Sequence, residues 1–130
     1  MVAVDIHSAS PPSEQIYQQL LGLILSGRVA PGERLPTVRQ LARDLGVAAG
    51  TVARAYKQLE AESFVVTRSR AGTTVSHSAR SLPPDVLIAA RDLHEAASRN
   101  GLTIDQVVAT LTGIWAVTEP KPPRGPAELD

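Results

Sequence analysis

TVRQLARDLGVAAGTVARAY, Thr37 to Tyr56, is the stretch that decides the fold of this chain. Val38, Leu41, Ala42 and Leu45 stand at offsets 0, 3, 4 and 7, and Val52, Ala55, Tyr56 and Leu59 repeat those offsets shortly afterwards. Each set makes one buried stripe on an amphipathic helix. Thr37 and Gln40 read as a capping box that opens the first helix, and Gly46 closes it. The second is expected to begin at Ala49 or Gly50 and to run to about Glu62. Ala42, Gly46 and Val52 fall at relative positions 0, 4 and 10. A tight helix crossing wants a small residue, a turn glycine and a β-branched packing residue there. Two helices in this arrangement form a helix-turn-helix, whose second helix is the one that enters a DNA major groove.

The flanks extend the pattern. Upstream, Pro11-Pro12-Ser13 announces a helix, with Ser13 as its expected cap and Ile16, Leu20, Leu23 and Ile24 at helical spacing. Residues 1–11 before it are expected to be flexible. Ala30 to Pro36 reads as a turn-rich connector. Downstream, Phe64-Val65-Val66-Thr67 and Thr73-Thr74-Val75 are β-prone and bracket Arg68-Ser69-Arg70-Ala71-Gly72, the signature of a hairpin. Helix, helix-turn-helix and basic hairpin together make a winged helix-turn-helix over residues 12–76.

A polar linker, 77–84, leads into a second region, 85–118, of two helices. Val86, Ala90, Leu93 and Ala97 line one face of the first, which Asn100-Gly101 stops. Thr103 and Gln106 form a capping box on the second, with Leu102 and Val107 as a hydrophobic staple. Its apolar stripe is Ile104, Val107, Val108, Leu111, Ile114 and Trp115. Two short helices cannot bury such stripes alone. Pairing Leu93, Val107, Val108, Leu111, Ile114 and Trp115 with their counterparts in a second copy would bury them across a two-fold axis. Two recognition helices would then stand about 34 Å apart and read a palindrome. Residues 119–130 contain four prolines and are expected to be a disordered tail. The fold class is thus mainly α, with a small β-hairpin wing and a two-helix dimerisation segment.

Composition sets limits. The chain has 130 residues, and its aromatic content of 3% means that the core must be aliphatic. It lacks cysteine, which excludes disulfides and thiolate metal sites and leaves the cytoplasm as the expected compartment. Neither a signal peptide nor a membrane-spanning run is expected from this sequence. His7, His77 and His94 are scattered without partners at ligand spacing, so neither metal nor cofactor is expected. No nucleophile context or phosphate loop suggests an enzyme. Through Arg80 the chain holds 9 basic and 6 acidic residues; beyond it, 4 basic and 7 acidic. A net +3 against −3 suits a first region that faces nucleic acid.

The outward face of the second helix of the pair, Gly50, Thr51, Ala53, Arg54, Lys57 and Gln58, has no acid before Glu60. A polyanion fits it. Arg68 and Arg70 extend that charge onto the hairpin, where narrow A·T-rich minor grooves attract arginine. Tyr56 belongs to the apolar stripe and is expected in the core.

LPTVRQLARDLGVAAGTVARAYKQLEAESFVVTRSRAGTTV, with PPSEQIYQQLLGLILSGRVAPGERLP before it, resembles the DNA-binding domain of the GntR family of bacterial transcription regulators. The short two-helix remainder is similar to that of the YtrA-type subfamily, where it serves in dimerisation. The resemblance makes Arg39, at the start of a helix capped by Thr37, a DNA contact. It makes Thr51 a backbone contact, Arg54 a basic or polar reader, and Gly72 the wing glycine near the minor groove. The family often places a capping Ser, Thr or Asn and then a polar reader where this chain has Ala48 and Ala49, and arginine where it has Ala53. Losing the cap costs about 1 kcal/mol of helix stability. Ala49 and Gly50 let the helix end approach closely, so that backbone N–H groups can hold a phosphate and methyls can meet thymine methyls.

The implied function is a homodimeric regulator, more often a repressor, on a palindromic double-stranded DNA operator. A small-molecule effector would act through differential affinity for two states. The competing reading is a winged-helix protein-interaction module without specific DNA binding. Arg39, Arg54, Lys57, Arg68 and Arg70 weigh against it, because an apolar partner surface would not keep five cations.

Overall fold

The computed structural model describes residues 4–6, 10–68 and 72–118. It contains helices α1 (Pro12–Leu25), α2 (Val38–Leu45) and α3 (Ala49–Ala61), strands β1 (Val65–Arg68) and β2 (Gly72–Val75), and helices α4 (Pro84–Arg99) and α5 (Ile104–Thr118). These form two compact units that divide at Leu87 and Ile88. The expected tail, 119–130, lies outside the described residues.

In the first unit α3 is the hub, packed against α1, α2 and β1. The apolar stripes expected from periodicity meet there: Ile16 and Leu20 of α1, Val52 and Leu59 of α3, and Val65 and Val75 of the hairpin have almost no exposure. Tyr56 is buried among them, and its hydroxyl donates to the Pro36 carbonyl at 2.6 Å. Burial of that hydroxyl pushes its pKa up to about 12, because the phenolate would lose its hydration.

Local signals hold α2 in place. The Thr37 hydroxyl accepts from Gln40 N–H at 3.1 Å while the Gln40 side chain accepts from Thr37 N–H at 2.9 Å, which completes the capping box. Gly46 adopts φ 69° and its N–H turns back to the Ala42 and Arg43 carbonyls. That left-handed conformation is why a glycine stands there.

Four details differ from the sequence reading. Ser13 does not cap α1, which starts at Pro12 with Pro11 in the N-cap position and no side-chain cap. A proline at the first helical position already has the right φ and no N–H to satisfy. Nor is the whole N-terminal segment free: Val4 and Ile6 pack on the core, and Asp5 N–H donates to Gln19 Oε1 at 2.7 Å. The apolar alternation of Val4 and Ile6 allows this strand-like docking.

The third difference lies in the connector before α2, which pairs with the hairpin. Gly32 N–H donates to the Val75 carbonyl, Val75 N–H to the Glu33 carbonyl and Leu35 N–H to the Thr73 carbonyl, each at 2.8 Å. Arg34 bridges antiparallel to Thr74. β2 therefore has β1 on one side, in a register that places Val65 opposite Val75 and Arg68 opposite Gly72, and the Gly32–Leu35 segment on the other. Beyond β2, Ala79 is buried and Leu82 N–H donates to the Leu25 carbonyl at 2.7 Å, which fastens residues read as linker onto this unit.

In the second unit Gly101 turns the chain at φ 68°, and Leu102 N–H returns to the Ala97 carbonyl. The Thr103 and Gln106 capping box forms as read. Ala97 is buried, whereas α5 contains no buried residue.

Candidate nucleic-acid interface

The buried stripe of α3 dictates its opposite face. With Val52, Ala55, Tyr56 and Leu59 inward, helical geometry turns Gly50, Arg54 and Lys57 outward at spacings of four and three residues, and all three are exposed. Thr51 is half-buried on one flank, and its N–H donates to the Ala48 carbonyl at 3.0 Å. Glu60, the acid nearest this face, accepts from Thr67 N–H of β1 at 3.1 Å. Its carboxylate therefore ties α3 to the wing.

At the head of α3, Ala48 is the N-cap residue and offers no side-chain bond. Ala49 and Gly50 are exposed. A Cβ added to Gly50 would meet nothing within 4 Å, and its φ is not positive. Neither packing nor backbone conformation requires glycine there, although glycine weakens a helix. The helix end is smooth, and no side chain covers its first backbone donors, those of Ala49 and Gly50.

Thr37 and Arg39 stand together at the start of α2, both exposed. Thr37's oxygen accepts from Gln40, so its proton remains available to an outside acceptor. Among the described residues no carboxylate forms an ion pair with Arg39, Arg54, Lys57 or Arg68. Arg54 borders an open groove of about 250 Å³ between α1 and α3, shared with Ser13, Glu14, Tyr17, Gln18 and Gln58. At its rim, the Tyr17 hydroxyl donates to Glu62.

Arg68 ends β1 and is exposed. Arg70 lies outside the described residues. Gly72 opens β2 at φ 75°, and a Cβ there would sit 3.3 Å from Nε of Arg34. The left-handed conformation favours this glycine, and a Cβ would also press on the Arg34 side chain. Arg34 has no signature of a binding residue in the sequence, because Ala30 to Pro36 has the composition of a connector. The alternation of Arg34 and Leu35 before Pro36 is the one local sign of a strand.

Family comparison matches residues 12–75 to the bacterial regulatory proteins of the gntR family. The HTH-type transcriptional regulator Rv1152 of Mycobacterium tuberculosis is 42% identical over 85% of this chain and 91% of its own. The HTH-type transcriptional repressor YtrA of Bacillus subtilis is 41% identical over 62% of each chain. Among solved structures, YtrA from Sulfolobus acidocaldarius, a GntR-family transcription factor, superposes with a TM-score of 0.52 at 31% identity, covering 74% of this chain and 97% of its own. The helix-turn-helix, its hairpin and the relatives agree: this chain belongs to the GntR family of DNA-binding transcription regulators and is not an enzyme.

Proposed function

We propose that this chain is a homodimeric repressor that occupies a palindromic operator in the cytoplasm. The observation that carries the dimer is the exposure of α5: in a single chain Ile104 is 63% exposed, Val108 52%, Ile114 51% and Trp115 59%. Monomeric proteins rarely leave so contiguous an apolar face in water. A two-fold partner, meeting it through Leu93, Val107, Val108, Leu111, Ile114 and Trp115, would remove that surface from solvent and present two first units to one duplex.

On the DNA, α3 would lie in the major groove. Arg39 and Arg54 would supply guanine contacts, and Thr37, Thr51 and Lys57 phosphate contacts. The smooth end at Ala49 and Gly50 would admit the backbone closely. Arg68, Arg70 and Gly72 would place the wing along the minor groove. Repression follows from occupancy of a promoter, and the name of the B. subtilis relative supports that sign of regulation. A small-molecule effector fits as a bias between two dimer states that hold DNA with different affinity.

Sedimentation tests the dimer. The full chain should sediment as two copies at micromolar concentration, and Leu111→Asp as one. A wild-type chain that remains single on its own and on DNA would contradict the proposal.

A further inference from the structure

Beside the hairpin stands a further arginine, Arg34, outside the helix-turn-helix pattern and bridged to Thr74. Side chains alternate along a strand, so with Leu35, Thr73 and Val75 buried, Arg34, Gly72 and Thr74 share the opposite, outer face. The register places Arg68 directly across from Gly72, and therefore on that same face. Gly72 is thus flanked by Arg68 from β1 and by the guanidinium of Arg34 from the other side. A Cβ at Gly72 would lie 3.3 Å from Nε and 3.4 Å from Nη2 of Arg34.

Arg34 and Arg68 are both exposed, and among the described residues neither guanidinium has an ion-pair partner. Like charges gathered on one face of neighbouring strands repel. A polyanion lying against that face would reverse the sign of the interaction and release counterions. Glycine between them leaves no side chain in its way.

We propose that Arg34 is a DNA-binding residue of the wing, acting with Arg68 on the phosphates that border the groove the wing follows. The inference rests on the first unit's binding duplex DNA. Arg34 is fixed by its bridge to Thr74 within the strand, outside residues 69–71 that join β1 to β2, which suits a phosphate contact that adds affinity without reading bases.

The test uses the full chain with Arg34→Gln and Arg34→Lys, and measures affinity for a mixed-sequence duplex across salt concentrations. Arg34→Gln should reduce the slope of log K against log salt by about 0.9 per protomer. Arg34→Lys should retain the wild-type slope, and the sites that the Gln variant selects from random DNA should match those of wild type. A wild-type slope in Arg34→Gln would overturn the inference while leaving the first unit a DNA binder. Changed base preference would overturn the backbone role. A wild-type chain with no salt-dependent binding would bring down both claims. Should Gln also lower the melting temperature, the Lys variant decides: full slope supports a charge contact, and loss of slope overturns it.

Discussion

The two units solve the burial problem in opposite ways. In the first, each amphipathic stripe finds a partner in the same chain: α3 meets α1, α2 and β1, and Leu20, Val52 and Leu59 are sealed. In the second, the helices carry apolar residues that a single chain leaves exposed, Trp115 and Ile114 among them. Helical periodicity is alike in both, so it specifies helices and not what covers them. The closed unit spends its exposed surface on cations. The open unit spends it on side chains that water disfavours, the difference expected if the one surface meets another copy and the other meets DNA.

The largest test of this contrast is Leu111→Asp. A charge forced into an apolar interface costs several kcal/mol, so the dimer should dissociate. Because two linked half-sites bind more tightly than one, operator affinity should fall by roughly a hundredfold or more. The melting of the first unit should hardly change. A collapse of both units together would break the contrast.

Next in size is Arg39→Ala, expected to weaken operator binding by about 1–3 kcal/mol with sedimentation unaltered. Titration against the selected duplex measures it. An unchanged affinity would remove Arg39 from the interface.

Tyr56→Phe tests the closed core and should destabilise it by about 1 kcal/mol, as the Pro36 carbonyl loses its donor. The same residue sets an alkaline limit. Its folded pKa lies above its unfolded value, so the neutral hydroxyl's contribution is complete below pH 10 and is lost as pH rises towards about 12. Chemical denaturation from pH 9 to 12 should show wild type losing more stability than Tyr56→Phe; parallel losses would exclude Tyr56 as the cause.

The smallest effect sharpens the contrast most finely. Gly50→Ala has open space for its methyl and should raise the first unit's stability by about 0.5 kcal/mol. DNA affinity should nevertheless fall if the DNA backbone approaches the helix end at Gly50, because the methyl would stand in its way. Equal or better binding would show that the smooth end of α3 does not meet DNA.

Much of this was legible in the residues. Offsets of 0, 3, 4 and 7, a threonine cap and Gly46 determine α2 and α3 locally, and the same stripes name the core. The pairing of Gly32–Leu35 with β2 was not, because Leu35 and Thr73 are distant in sequence and the segment is punctuated by Pro31, Gly32 and Pro36. Arg34 was missed for that reason. Gly72 drew attention as a wing glycine, yet its contact with Arg34 required the register. Helix α1 began at Pro12 since proline's fixed φ outweighed Ser13's capping tendency.

The central claim is that a closed, cationic unit reads DNA while an open, apolar unit pairs two copies of it. Selection of duplexes from a random pool at about 0.15 M salt tests it most directly. The expected result is an inverted repeat with half-site centres about one helical turn apart, or a multiple of that. Recovery of single half-sites, or of no preferred sequence at all, would contradict it.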